Sequence, residues 1–168
     1  MTVYEIEHLW RPDGWLSPAY VAVDASGYVT SVGDAPPSVA SERVSGYALP
    51  GIPNLHSHAF QRAFAGLAEH ALGGEDSFWS WRKAMYEFLE KLGPEDVEAI
   101  AAELYVEMLE AGYTAVGEFH YLHHDPLGNP YGNPAEMSER VIAAAHRAGI
   151  GLTLLPVVYA ASVFGGAP

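Results

Sequence analysis

After residue 48 the chain alternates short apolar strands with longer amphipathic helices, and this alternation limits the possible folds most strongly. The strand-like runs are PGIPNLH, YTAVGEF and IGLTLLPVVY, and apolar residues recur at helical spacing in the segments between them. Apolar strands joined through helices pair in parallel, as in a βαβ crossover. Residues 48–168 are therefore predicted to form the first βα units of a parallel α/β array.

Four helices are predicted in this part of the chain, and two of them have clear termini. The predicted helices are AFQRAFAGLAEHA, SFWSWRKAMYEFLEKL with Ser77 as a possible N-cap, a helix from Pro94 to Gly112, and PAEMSERVIAAAHRAG. Proline in the first turn and glycine after the last are typical helix boundaries. A closed (β/α)₈ barrel needs about 250 residues. We therefore expect this array to be incomplete, as in the N-terminal portion of a longer enzyme.

The first 47 residues have a different pattern, that of short strands and turns. TVYEIEHLW predicts a strand, and YVAVDASGYVTSVGD predicts a hairpin that turns through Asp24-Ala25-Ser26-Gly27. Residues 1–47 are therefore predicted to form a small β module that precedes the α/β array.

Charge and composition exclude several classes of function. A net charge of -13 repels phosphate backbones, so nucleic-acid binding is not expected. The chain has no Cys, so a metal would have to be held by His, Asp or Glu. MTVYEIEHLW is acidic where a signal peptide is basic, and GLTLLPVVY, which contains Pro156, is read as a buried strand rather than a membrane span. We expect a cytoplasmic protein that has no membrane contact.

The motif that carries most chemical information is His56-Ser57-His58, which follows the first predicted strand of the array. Residues two apart on a strand point to the same face, and α/β folds build their sites at the carboxyl ends of strands. Both imidazoles could therefore reach one metal ion. Eight histidines in 168 residues give about 0.4 such pairs by chance, so the spacing alone does not distinguish a metal site from a chance pair.

Other polar residues near the predicted strand ends are ambiguous when taken alone. Arg82 lies in the aromatic stretch FWSW, where aromatic side chains would strengthen a bidentate bond to a carboxylate. Gln61 and Tyr121 each follow a predicted strand closely, at the end where loops carry function. Without further evidence, Gln61 would be read as an exposed helix residue and Tyr121 as a ring packed on a loop. A second metal site is not expected in the loop histidines; those considered were His120, His123 and His124, with Asp125.

Several longer stretches resemble a known family. PGIPNLHSHAFQRAFAGLAE resembles the metal-binding first strand of the amidohydrolase superfamily, and FWSWRKAMYEF, AGYTAVGEFHYLHHDP and the late FGG narrow the resemblance to the formimidoylglutamate deiminases. The resemblance covers essentially the whole chain. It departs at Leu127, where a polar residue would be expected in a DPxGxPY loop.

The resemblance implies a fold and a metal. The first 47 residues would belong to a small β-sandwich module, and residues 48–168 would begin a (β/α)₈ TIM-type barrel. One Zn²⁺ would be held by four ligands, with Fe²⁺ not excluded, and His56 and His58 would be two of them. The remaining ligands and the catalytic proton-transfer residues would lie beyond Pro168, so this chain would contain no catalytic residue and would be inactive alone.

The resemblance also implies a reaction and a substrate site. The enzyme would hydrolyse N-formimino-L-glutamate, a dicarboxylate amidine, to N-formyl-L-glutamate and ammonia in histidine degradation, and its full-length form would be a homodimer. Gln61, Arg82 and Tyr121 would bind the substrate. Two alternatives remain: a related deaminase acting on a purine, pyrimidine or triazine ring, and a non-catalytic relative or binding module.

Overall fold

The computed structural model describes residues 1–66 and 78–159, with side chains except at 78–80, 83 and 84. The chain divides into two compact units, Met1–Pro50 and Gly51–Pro168. The second half of the first predicted helix, the N-cap at Ser77 and the late FGG motif lie outside the described residues. Between them the two units contain sheets and helices, which makes the chain an α/β protein.

The first unit contains a five-stranded sheet. Its strands are β1 (Thr2–Arg11), β2 (Gly14–Leu16), β3 (Ala19–Val23), β4 (Val29–Gly33) and β5 (Glu42–Ala48). β1 pairs antiparallel with β2 and β3 and parallel with β5, and β3 pairs antiparallel with β4. The predicted hairpin is confirmed. Its turn is held by the Asp24 carboxylate, which accepts hydrogen bonds from the backbone amides of Ser26 and Tyr28.

The second unit has a three-stranded parallel sheet with helices between its strands. Its elements are β6 (Ile52–Ser57), a 3₁₀ helix (Ala59–Phe64), α1 (Phe78–Leu89), α2 (Pro94–Glu110), β7 (Tyr113–His120), α3 (Glu136–Ala148) and β8 (Gly151–Pro156). The strand order is β6-β7-β8, with parallel pairing throughout. The prediction of parallel strands joined through helices is confirmed.

The helix after the histidine pair is shorter and tighter than the sequence pattern predicts. AFQRAFAGLAEHA predicts a helix of more than a dozen residues, whereas the structure has a 3₁₀ helix that ends at Phe64. Gly66 has a φ of 83°, a left-handed conformation that turns the chain away from a helical path. The buried side chains of Phe60 and Phe64 hold this short helix against the core.

The core of the second unit lies between α2, α3 and β7. Val97 and Tyr105 on α2 and Val141 on α3 are fully buried, as is Val116 on β7. Burial of these apolar side chains provides the main driving force for packing the two helices on the sheet. No helix in the described parts of the chain is long and apolar enough to cross a membrane.

Candidate functional site

The two histidines of the H-x-H motif face each other at the carboxyl end of β6. His56 is in the strand and His58 follows it, at the start of the 3₁₀ helix. The Nε2 atoms of the two rings are 3.0 Å apart, and the rings are perpendicular. The extended backbone of this segment brings both nitrogens to one point, as expected for residues two apart on a strand.

The backbone of the neighbouring strand fixes the orientation of His58. Its Nδ1 lies 2.9 Å from the carbonyl oxygen of Phe119 in β7. A carbonyl only accepts, so Nδ1 must carry the proton and, in the neutral ring, Nε2 keeps a free lone pair. A metal-binding histidine is commonly held in this way, through a hydrogen bond from its other ring nitrogen.

The donor chemistry of this pair therefore fits a divalent metal ion. Imidazole nitrogen is a good ligand for zinc and also for iron, and two Nε2 atoms 3.0 Å apart are close enough to bind one ion between them. Within residues 1–66 and 78–159, no group of three or more His, Cys, Asp or Glu residues comes together to hold an ion. The pair supplies two ligands, and a closed site needs more than two.

Two aromatic rings border the histidine pair. The Phe119 ring stacks on His56, with ring centroids 4.4 Å apart. The Tyr121 ring meets His58 edge-on at 5.0 Å. Each imidazole is therefore in contact with one aromatic ring.

A buried carboxylate lies on the other side of β7, behind the histidine motif. Glu118 is 1% exposed, and it accepts hydrogen bonds from the Ala59 backbone amide at 2.6 Å and from the Tyr105 hydroxyl at 3.3 Å. The Ser57 side chain also hydrogen-bonds to it. Burial raises the pKa of Glu118, while these hydrogen bonds oppose the rise because they stabilise the charged form.

Gln61 and Tyr121, two of the predicted substrate-binding residues, contact each other. The Gln61 side-chain amide donates to the Tyr121 hydroxyl at 2.8 Å. Burial raises the pKa of Tyr121, so this hydroxyl stays protonated and can donate a hydrogen bond. Tyr121 also touches His58, and the Gln61 backbone amide donates to the His58 carbonyl oxygen, so both residues lie next to the histidine pair.

Arg82, the third predicted substrate-binding residue, has a different neighbour. Its guanidinium donates to the Tyr86 hydroxyl at 3.1 Å, one helical turn further along α1, and lies 5.3 Å from the centre of that ring. The side chains of Phe78 and Trp79, predicted to surround it, lie outside the described residues. Tyr86, the neighbour of Arg82, and Tyr121 both line one cavity of about 300 Å³.

His123 and Asp125, in the loop after β7, have hydrogen-bond partners of their own, whereas the structure places His120 at the end of β7 rather than in the loop. His123 Nε2 lies 2.8 Å from the carbonyl oxygen of Val157, and the His120 ring packs edge-on against His123. The Asp125 carboxylate accepts hydrogen bonds from the amides of Leu127 and Asn129 within its own loop, and these bonds lower its pKa. In the described structure these side chains organise the loop after β7.

Two contributors to the site have weak or no sequence signal. The sequence gives a partial signal for Glu118, since a charged residue interrupts the apolar strand YTAVGEF. The pattern does not indicate which groups Glu118 contacts. The Phe119 carbonyl that orients His58 has none, because any residue offers a carbonyl. Both depend on the register between β6 and β7, in which Ser57 pairs with Glu118.

Comparison with protein families identifies the family of the chain. Residues 47–163 match the model of the amidohydrolase family. The chain therefore belongs to the amidohydrolase family.

Individual relatives add detail. The chain is 51% identical over all of its 168 residues to a formimidoylglutamate deiminase of Pseudomonas aeruginosa, and it spans 37% of that protein's length. A crystal structure of an amidohydrolase from Brucella melitensis is 50% identical, with a TM-score of 0.90 over 99% of this chain and 37% of that one. Atrazine chlorohydrolase TrzN from Arthrobacter aurescens TC1, solved in complex with zinc, is 20% identical and shares the fold, with a TM-score of 0.68 over 93% of this chain and 35% of that one.

Proposed function

We propose that this chain belongs to a metal-dependent hydrolase that converts N-formimino-L-glutamate to N-formyl-L-glutamate and ammonia. The observation that carries the proposal is the convergence of His56 Nε2 and His58 Nε2 to 3.0 Å, with the His58 tautomer set by the Phe119 carbonyl. The substrate is inferred from the Pseudomonas aeruginosa relative, whose name is formimidoylglutamate deiminase.

The proposal includes a finer description of the fold. Residues 1–47 would be part of a small β-sandwich module, and residues 48–168 would form the first strands and helices of a (β/α)₈ barrel. The parallel order β6-β7-β8 supports this, since each strand follows the last around one sheet. The histidine pair at the carboxyl end of β6 then lies where barrel enzymes build their sites. We also propose a homodimer in the cytoplasm.

His56 and His58 would hold the metal, which we propose to be zinc. Bound zinc supplies Lewis-acid chemistry, since it lowers the pKa of water to about 7. The chain itself holds the two imidazoles with the Nε2 lone pair of His58 directed at His56, so little rearrangement is needed on binding. Because the described residues supply two ligands, we expect residues 1–168 alone to bind zinc weakly and to release no ammonia.

Three side chains would bind the dicarboxylate amidine. Arg82 offers a planar guanidinium suited to a bidentate bond with a carboxylate, in a protein of net charge -13 that otherwise repels anions. The Tyr121 hydroxyl and the Gln61 amide, already hydrogen-bonded to each other, present a donor and an acceptor beside His58. Together they would orient the amidine carbon toward the histidine pair.

The test is steady-state kinetics of ammonia release from N-formimino-L-glutamate by the protein expressed from its complete gene. R82A should raise KM about 100-fold, the cost of losing a charged hydrogen-bonded pair. R147A is the matched control, since Arg147 is an exposed arginine on α3 paired with Glu98, and it should leave KM unchanged.

Two results would contradict the proposal. Unchanged KM in R82A, together with deamination of a purine, pyrimidine or triazine ring, would favour a ring deaminase. No turnover of any of these substrates by a zinc-loaded protein would favour a non-catalytic relative.

A further inference from the structure

The buried carboxylate of Glu118 holds the chain on both sides of one histidine. It accepts a hydrogen bond from the Ala59 amide and another from the Ser57 side chain. These two residues immediately precede and follow His58. A single side chain of β7 therefore restrains the backbone from which the His58 ring projects.

The next residue of β7 acts on the opposite face of the strand. Phe119 receives the His58 Nδ1 hydrogen bond on its carbonyl and stacks its ring on His56. Side chains alternate along a strand, so Glu118 faces the helices while Phe119 faces the histidine pair. β7 thus contacts the end of β6 on two faces, through Glu118 on the side of the helices and through Phe119 on the side of the histidine pair.

A carboxylate is a costly choice for this buried position if packing is its only purpose. Burying a charge carries a desolvation penalty that hydrogen bonds offset only in part, and an apolar side chain of similar volume often stabilises as well or better. Glu118 is 1% exposed and sits beside the fully buried Tyr105. An apolar side chain could not accept hydrogen bonds from the Ala59 amide and the Ser57 hydroxyl.

We propose that Glu118 is a positioning residue for the metal site, which acts by restraining Ser57 and Ala59 so that the His58 and His56 nitrogens stay converged. The inference rests on the proposed metal-binding role of the two histidines. It assigns to Glu118 an effect on metal affinity in addition to its effect on fold stability.

The test compares three variants of the protein expressed from its complete gene. E118L removes the acceptor and should lower zinc affinity about tenfold, the lower end of what outer partners of metal ligands contribute. E118Q keeps a carbonyl acceptor for the Ala59 amide and should restore affinity to within about threefold of wild type. V116A is the matched control, since Val116 is buried on the same face of β7 two residues earlier.

Zinc affinity is measured by competition with a chromophoric chelator, thermal unfolding gives stability, and the visible spectrum of the Co²⁺ form reports the ligand environment. We expect E118L alone to lose affinity and alter the Co²⁺ spectrum, with V116A losing stability but no affinity. If E118L does not fold, S57A carries the test and should weaken zinc binding about threefold, since it removes one donor to the same carboxylate.

Three results would overturn the inference. E118L, or S57A in its place, could bind zinc as tightly as wild type with an unchanged Co²⁺ spectrum. V116A could lose as much affinity as E118L, which would mean that any damage to β7 suffices. A wild-type protein that binds no zinc would overturn the proposed function as well, and this result is distinct from the other two.

Discussion

Acidification should destabilise the second unit through one buried imidazole, that of His120 at the end of β7. The side chain is 3% exposed, and within the described residues its Nε2 has no hydrogen-bond partner. Burial, with a smaller effect from the facing His123 ring, lowers the pKa of His120 to about 4 from an ordinary value of 6.5. The folded protein therefore keeps this ring neutral at a pH where the unfolded chain has already protonated it.

The size of the effect follows from these two pKa values. The contribution of this pKa difference to the free energy of unfolding is complete above about pH 6.5. It is lost as the pH falls toward about 4, because only the unfolded chain takes up the proton in this window. Linkage then gives a loss of about 2 kcal/mol in the free energy of unfolding at about pH 5, and about 3 kcal/mol at the lower limit.

Urea-induced unfolding, followed by far-ultraviolet circular dichroism at about pH 7.5, 6 and 5, measures this loss. H120N should be less stable than wild type at neutral pH but should lose about 2 kcal/mol less on acidification to about pH 5. H146N, which replaces an exposed histidine on α3, is the control for the loss of a histidine side chain. Equal pH dependence of wild type and H120N would show that His120 does not cause the loss of stability.

Further substitutions in the second unit test its packing and the approach of β6 to β7. In G117A the new Cβ would lie 3.1 Å from the Leu55 carbonyl oxygen, so we expect a loss of about 1–3 kcal/mol on chemical unfolding and weaker zinc binding; unchanged zinc affinity would contradict the close approach. Y105F should cost about 1 kcal/mol by removing one donor to Glu118, and a gain in stability would contradict that hydrogen bond. V141A should cost about 2 kcal/mol, with I142A as the exposed control on the same helix, and equal losses in both would contradict the assigned core.

The strands and helices could be predicted because their signals are local. Pro94 and the acidic residues after it mark the start of α2, and the structure begins that helix at Pro94. The side-chain period along β6 likewise predicts that His56 and His58 share a face. Each of these inferences needs only residues close together in the sequence.

The supports of the site could not be predicted because they depend on pairing across long separations. Ala59 and Glu118, as well as His58 and Phe119, meet only when β6 and β7 pair in one particular register. The 3₁₀ type of the helix after His58 could not be predicted either, because its end depends on the conformation of Gly66. Arg82 and Tyr86 are a different case, because their spacing of four on a helix is enough to predict that their side chains contact each other.

An anomalous difference map would show whether His56 and His58 share one divalent ion. Crystals of the protein expressed from its complete gene, grown with zinc, would be measured on both sides of the zinc absorption edge. We expect a peak about 2.0–2.1 Å from the Nε2 atoms of both histidines. A map with no peak there, or with zinc bound only at the loop histidines His123 and His124, would contradict it.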